Sequence, residues 1–170
     1  AKEYGIFLMN IAAGTAQIIN NTCNNNSVAG IYLFDSKSSL IANNEFLLNK
    51  KEGLYCRYSG LSKIINNTFY DCGLFVFEET ILDFLSYEIN GNSVNKLPLG
   101  YIINTDAITI NYPYGQLIII NCTNLTVEQQ YINNTSIGMM IFFSTNCQVL
   151  NSTFSNNNLY GTYILSSKTI

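Results

Sequence analysis

An all-β solenoid of the parallel β-helix type, with about 23 residues per coil and about seven coils, is the fold this sequence predicts. Three observations predict it. A step of 23 relates Asn21, Asn44 and Asn67, and also Ile18, Ile41 and Ile64; it returns from Asn134 to Asn157, Tyr131 to Phe154 and Gly138 to Gly161. A fixed period of roughly 20–25 residues marks a chain built of stacked repeats. The second observation is a recurring glycine followed by a short apolar run. The third is composition: 25 of 170 residues are Asn, whose side chain competes with the backbone for hydrogen bonds and so disfavours helix. Asn suits turns, left-handed corners and side-chain ladders between stacked strands.

Taken in order, the coils open at Gly5-Ile-Phe-Leu8, Gly30-Ile-Tyr-Leu33, Gly53-Leu-Tyr-Cys56 and Gly73-Leu-Phe-Val76. Each run is short and rich in β-formers, with its middle residue directed outward. A second strand precedes each Asn pair, at Ile18-Ile19, Leu40-Ile41 and Ile64-Ile65, and a third follows near Cys23, Phe46 and Phe69. Stacking at about 4.8 Å places Ile18, Ile41 and Ile64 in one inward column, and Cys23, Phe46 and Phe69 in another. Asn21, Asn44 and Asn67 then hand amide hydrogen bonds from coil to coil where no strand pairing exists. Residues 77–114 break the pattern and read as an irregular coil with a loop excursion. Thr80 to Tyr87 suits a short helix, and Tyr87-Glu-Ile-Asn-Gly91 suits a hairpin arm. The period resumes at Gly115-Gln-Leu-Ile118, Gly138-Met-Met-Ile141 and Gly161-Thr-Tyr-Ile164. Residues 1–170 therefore form a single domain.

Composition excludes several functions. The net charge is −3, Arg57 is the sole arginine, and Lys50-Lys51 is the sole basic pair. Nucleic acid is not an expected partner, because few phosphates would be neutralised. No apolar run approaches the roughly 18 residues of a transmembrane helix. There is no His, and the five Cys lack CxxC spacing, so neither a metal nor any other cofactor is expected. The cysteines read either as small buried hydrophobes or, for Cys122 and Cys147, as a disulfide between adjacent coils.

The repeated Asn-Asn-Thr leading to Gly-[Ile/Leu]-[aromatic] occurs as Ile19-Asn-Asn-Thr22 before Gly30-Ile-Tyr-Leu33. It recurs as Ile65-Asn-Asn-Thr68 before Gly73-Leu-Phe-Val76, and as Ile132-Asn-Asn-Thr135 before Gly138. This resembles the NosD-type family of secreted right-handed parallel β-helices. The stretch from Glu88 to Thr126 resembles the linking coils of archaeal surface proteins of that kind. The resemblance implies a right-handed solenoid; it does not imply one activity, since such folds serve lyases, hydrolases, sugar binders and scaffolds.

Particular residues bear on four chemistries. A lyase would need a base such as Arg57 near carboxylates, with Glu78 and Glu79 about one coil above. A hydrolase resembling polygalacturonases would use Asn104-Thr-Asp106, but the second carboxylate and the His are missing. The copper role associated with NosD itself has only Met139-Met140 to draw on. The positive lead is an outward aromatic stripe, Phe7, Tyr32, Tyr55 and Phe75, continued by Met140 and Tyr163. Such a stripe suits sugar stacking or protein contact, or serves as a ladder within the sheet. Asn-x-Ser/Thr sequons begin at Asn20, Asn25, Asn66, Asn121, Asn124, Asn133, Asn134 and Asn151, with loop sites Asn25 and Asn124 expected to be used before the corner pairs.

The expectation is a non-catalytic extracellular or cell-surface structural or adhesion module. Its ends carry no obvious cap, so it is expected to self-associate end to end into a fibre or surface layer, or to continue within a larger surface protein. The alternatives are a carbohydrate-binding module using the aromatic stripe, with glycans as partners, and a polysaccharide lyase or hydrolase.

Overall fold

The computed structural model describes residues 2–170, and the chain is a parallel β-solenoid of about seven turns. Three rungs of three strands come first. They comprise β1 (Tyr4–Met9), β2 (Gln17–Ile19) and β3 (Thr22–Asn24); β4 (Ala29–Phe34), β5 (Leu40–Ala42) and β6 (Glu45–Leu47); and β7 (Glu52–Arg57), β8 (Lys63–Ile65) and β9 (Thr68–Tyr70). A fourth rung holds β10 (Leu74–Phe77), β11 (Glu88–Asn90) and β12 (Ser93–Val94). Equivalent strands pair in parallel, giving sheets β1-β4-β7-β10, β2-β5-β8-β11 and β3-β6-β9-β12. Ile18, Ile41, Ile64 and Ile89 form one inward column, and Cys23, Phe46, Phe69 and Val94 another. Phe46 and Phe69 stack at 4.7 Å and 8°. The recurring glycine makes room for these rings: a Cβ on Gly53 would lie 2.5 Å from Phe69 Cδ1 and 3.0 Å from Phe46 Cβ.

The two residues of each Asn pair have different tasks. Asn20, Asn43 and Asn66 turn the corner in the left-handed region, at φ 60°, 55° and 55°, which Asn tolerates better than most residues. Asn21, Asn44 and Asn67 form the ladder, and Asn92 extends it. The backbone N–H and Nδ2 of Asn44 both donate to Asn67 Oδ1, at 2.9 and 3.0 Å. Asn67 repeats this onto Asn92 Oδ1, and Asn21 onto Asn44 Oδ1. A serine ladder serves another corner: Ser36 N–H donates to Ser59 Oγ, and Ser59 N–H to Glu78 Oε1.

Within residues 77–114, helix α1 (Ile81–Leu85) is capped by Thr80, whose hydroxyl accepts from Asp83 N–H. The expected hairpin arm at Tyr87–Gly91 is instead the rung strand β11, paired in parallel with β8. The chain reverses further on. Val94 pairs antiparallel with Leu97, the start of β13 (Leu97–Ile103). Asn95 and Lys96 between them both have positive φ, 50° and 71°, as a two-residue type I′ turn requires.

Beyond that turn the coils stack anew: β14 (Thr109–Ile110); β15 (Gln116–Ile120), β16 (Thr126–Glu128) and β17 (Tyr131–Asn133); β18 (Ile137–Phe142), β19 (Gln148–Leu150) and β20 (Thr153–Ser155); and β21 (Tyr160–Leu165). Strands β13, β15, β18 and β21 extend the third sheet of the first stack to eight strands. The register runs one residue later than the glycine spacing suggests: Leu117, not Gln116, pairs with Met139. Leu117, Ile119, Met139 and Ile141 fill a second core with Cys122, Val127 and Cys147. Ile118, Ile120, Met140 and Phe142 face the other way, into the core of the first stack. That explains why β15 and β18 are buried on both faces. The second stack thus lies over the last rung of the first. The free edge of β10 is met by Gln116, whose Oε1 accepts from Leu74 N–H at 3.0 Å and whose Nε2 donates to Leu74 O at 2.8 Å. Such pairing satisfies backbone groups that a bare edge would expose.

Candidate functional site

Parallel, in-register pairing of β1, β4, β7 and β10 brings Phe7, Tyr32, Tyr55 and Phe75 into one outward row. Tyr32 and Tyr55 stack at 4.8 Å and 9°, Tyr55 and Phe75 at 4.9 Å and 7°; Phe7 tilts onto Tyr32 at 5.4 Å. Near-parallel stacking at this distance covers ring faces and leaves edges outward. The middle of the row is therefore committed to the ladder, with each pair contributing about 0.5–1.5 kcal/mol. Open ring area lies at the ends of the row. At one end Phe7 is 46% exposed.

The other end forms a groove. Tyr163, from the second stack, meets Phe75 edge-on at 5.9 Å and 88°, and Tyr160 stacks on Tyr163 at 5.5 Å. Tyr160 is 53% exposed, which makes it the most accessible ring of the groove. Tyr55, Arg57, Phe75, Phe77, Tyr160 and Tyr163 line about 290 Å³ of space. Met140, which was expected to continue the stripe, is fully buried against the core of the first stack, because the second stack lies on the first.

A second row runs two residues further along each strand, where Phe34, Arg57 and Phe77 pair in register. The Arg57 guanidinium carbon lies 4.9 Å from the Tyr58 ring centroid, 5.6 Å from Phe34 and 5.9 Å from Phe77. Its Nη2 donates to the Tyr58 hydroxyl at 3.3 Å. That hydrogen bond leads the causes that hold its pKa above the ordinary arginine value. Phe34, Tyr58, Phe77 and Tyr160 were not singled out from the sequence. The signal for Phe34 and Phe77 was there, since both share the strand period of the stripe.

Glu52 was also missed. It opens β7, is 5% exposed, and its Oε2 has no hydrogen-bond partner. Burial, opposed by Lys51 and by its own backbone N–H, pushes its pKa up to about 7.

Of the residues considered for catalysis, Glu78 and Glu79 line one open space with Asp35, Lys37, Tyr58 and Asp83, and Asp106 is held in hydrogen bonds within the second stack. Glu78 is buried at the top of the serine ladder, accepting from Ser59 N–H and the Tyr87 hydroxyl. Asp106 accepts from Thr123 Oγ1 and Asn124 Nδ2 at a corner of the second stack, and these bonds hold its carboxyl below the usual range. Among the described residues there is no cluster of three or more His, Cys, Asp or Glu positioned for a metal, and no helix is long and apolar enough to cross a membrane.

The Cys122–Cys147 disulfide is not formed; all five cysteines are buried free thiols. The register explains this. Cys122 N–H donates to Ser144 Oγ, so Ser144 and not Cys147 is its neighbour on the next coil. The eight sequon residues Asn20, Asn25, Asn66, Asn121, Asn124, Asn133, Asn134 and Asn151 are all exposed. At the pairs beginning Asn20 and Asn66, the sequon residue is the outward corner and its neighbour carries the ladder.

A family model described as a right-handed beta helix region matches residues 1–112. The chain belongs to the right-handed β-helix family. The match spans the whole first stack, and so both aromatic rows and Arg57, whereas Tyr160 and Tyr163 lie beyond it. No curated protein matches the chain. Membership of this β-helix family fixes the scaffold and leaves the chemistry to the residues it displays.

Proposed function

We propose that this β-helix is a non-catalytic, extracellular or cell-surface adhesion module that recognises a glycan in the aromatic groove beside Phe75. The observation that carries the reading is the groove itself: rings from both stacks converge on one open space, and Tyr160 keeps an accessible face there. Aromatic faces with hydroxyl tips suit the apolar faces and hydroxyls of sugars. The placement of Glu78 and Asp106 in structural hydrogen bonds favours binding over turnover. The exposed sequons favour a secreted setting, in which some would carry glycans, and the repeat motif favours kinship with NosD-type archaeal surface proteins.

The test is a glycan panel probed with the wild-type chain and Tyr160→Ala. Tyr160 is exposed enough to truncate without unfolding. At least one glycan should bind, and the variant should weaken it roughly tenfold, about 1.4 kcal/mol. Binding that Tyr160→Ala leaves unchanged would reject the groove, and a panel without binders would reject the reading.

Self-association is a second reading, favoured by the outer edges of β1 and β21, which pair with no other strand among the described residues. Coil-on-coil stacking through β10 is closed, because the second stack covers that rung. Light scattering over a concentration series should show growth abolished by a proline at an outward-facing N–H of β1; a constant mass would reject it.

A further inference from the structure

Glu52 stands on an outward position yet is nearly cut off from water. Tyr4, Ala29 and Glu52 share one register position on β1, β4 and β7. That position faces outward, since the Tyr4 ring lies 5.2 Å from Phe7 and 5.5 Å from Tyr32. Glu52 is nevertheless 5% exposed, and its Oε2 has no partner. Ala29 puts only a methyl between Glu52 and Tyr4. Tyr4 and Tyr55 both sense the carboxyl: burial pushes their hydroxyls up first, and the Glu52 charge adds to the rise in each. Asn158 ties the second stack down beside it, its Nδ2 donating to Asn49 O, Lys51 O and Asp71 O at 3.2, 3.4 and 3.2 Å. Tyr55 carries the row on to the groove, which it lines with Tyr160.

A neutral carboxyl tolerates such a site, whereas a carboxylate needs water or donors. Nothing donates to Oε2, so the charged form has to admit water. The strands beneath are held by ladder bonds to β4 and β10, and the layer free to yield is the rings. We propose that Glu52 is a pH switch for the aromatic row: protonated, it lets Tyr4 and Tyr55 close over it; ionised, it draws water to Oε2 and lifts those rings, reshaping the groove at Tyr55. The ring movement does not depend on what the groove binds. Burial places the change at about pH 7. The other ionisable groups around the carboxyl are Glu3 and Tyr4 at the first strand, Tyr32 on β4, Lys51 and Tyr55 on its own rung, and Tyr160 on β21. Tyrosine and lysine ordinarily ionise near pH 10 and glutamate near 4.3, so a transition near neutrality belongs to Glu52. Buried Glu78 is also raised, and substitution of Glu52 separates the two.

The experiment uses the full chain without any saccharide. The neutral nitroxide TEMPOL is added, and NMR follows the broadening of assigned ring protons from pH 5.5 to pH 8.5 in wild type, Glu52→Gln and Glu52→Leu. Roughly one wild-type molecule in thirty is ionised at Glu52 at the lower pH, and all but one in thirty at the upper. Broadening of Tyr4 and Tyr55 should rise by a factor of about three or more, along one titration curve with its midpoint near pH 7. In both variants it should stay flat. Glu52→Leu leaves no amide to satisfy, and the wild-type curve stands by itself if Glu52→Gln does not fold. A flat wild-type response would overturn the switch. A rise retained in either folded variant would assign the transition to another group and overturn it too. Broadening that grows equally at Phe69 and Phe142, which are fully buried in the folded chain, would be loosening of the whole fold and would also overturn it.

Discussion

Replacing Glu52 with Gln should remove a pH dependence that this one carboxyl imposes on the fold. Glu52 is almost fully buried and its Oε2 lacks a partner; desolvation raises its pKa from the ordinary 4.5 to about 7. The sign follows from which state ionises first. Below pH 4.5 the carboxyl is protonated whether the chain is folded or not, and its contribution is fully present. Between 4.5 and about 7 the unfolded chain ionises while the folded one holds its proton, so stability falls. Above about 7 the loss is complete. The interval from 4.5 to about 7, at roughly 1.4 kcal/mol per pH unit, amounts to about 3 kcal/mol. The assay is urea unfolding of wild type and Glu52→Gln from pH 4 to pH 8.5. The amide does not ionise, and every other carboxyl, including buried Glu78, is common to both proteins and cancels in the difference. A constant offset is expected from the unpaired amide, so the informative quantity is the change with pH. The variant should gain about 3 kcal/mol relative to wild type between pH 4 and pH 8, a midpoint shift of about 1–2 M urea. A difference that stays flat across that range, or moves the other way, would refute the assignment of Glu52 as a buried acid.

Three further outcomes are expected. Asn67→Ala strands the N–H of Asn44 and one of its two Nδ2 hydrogens, and takes a donor from Ile41 O, and should cost about 3 kcal/mol in urea unfolding; Asn66→Ala, at the exposed corner beside it, should cost only about 1 kcal/mol. Gly53→Ala drives a methyl into Phe69 and Phe46 and should cost about 1–3 kcal/mol, with the melting temperature as readout. Thiol titration should find the native cysteines unreactive, because burial raises the pKa of all five, and should count five thiols after unfolding without reductant; a count of three would restore the disulfide.

The first stack was legible because its signals repeat at a constant step. Ile18, Ile41 and Ile64, the Asn ladder and the outward row from Phe7 to Phe75 all follow from translation by one coil. The relation of the two stacks was not legible in the same way. Asn95-Lys96 is a chain reversal without the glycine that usually announces one, and it falls inside a region already irregular. Nothing periodic in the sequence says that Ile118, Ile120, Met140 and Phe142 find the first core rather than solvent, although four apolar residues on an outward face hint at a cover. The aromatic row was read correctly as a row, but its accessible part depends on Tyr160 and Tyr163 arriving from another stack. Glu52 escaped notice because a single glutamate at a strand start looks solvated until its burial is known.

The groove beside Phe75 is proposed to take a sugar. The most direct measurement is side-chain NMR of the wild-type chain, following aromatic ring protons and the Arg57 Nε–H as saccharides are added. Saturable shifts confined to Tyr55, Phe75, Phe77, Tyr160, Tyr163 and Arg57 are the predicted result. Shifts centred on another face, or none with any acidic or neutral saccharide, would contradict it.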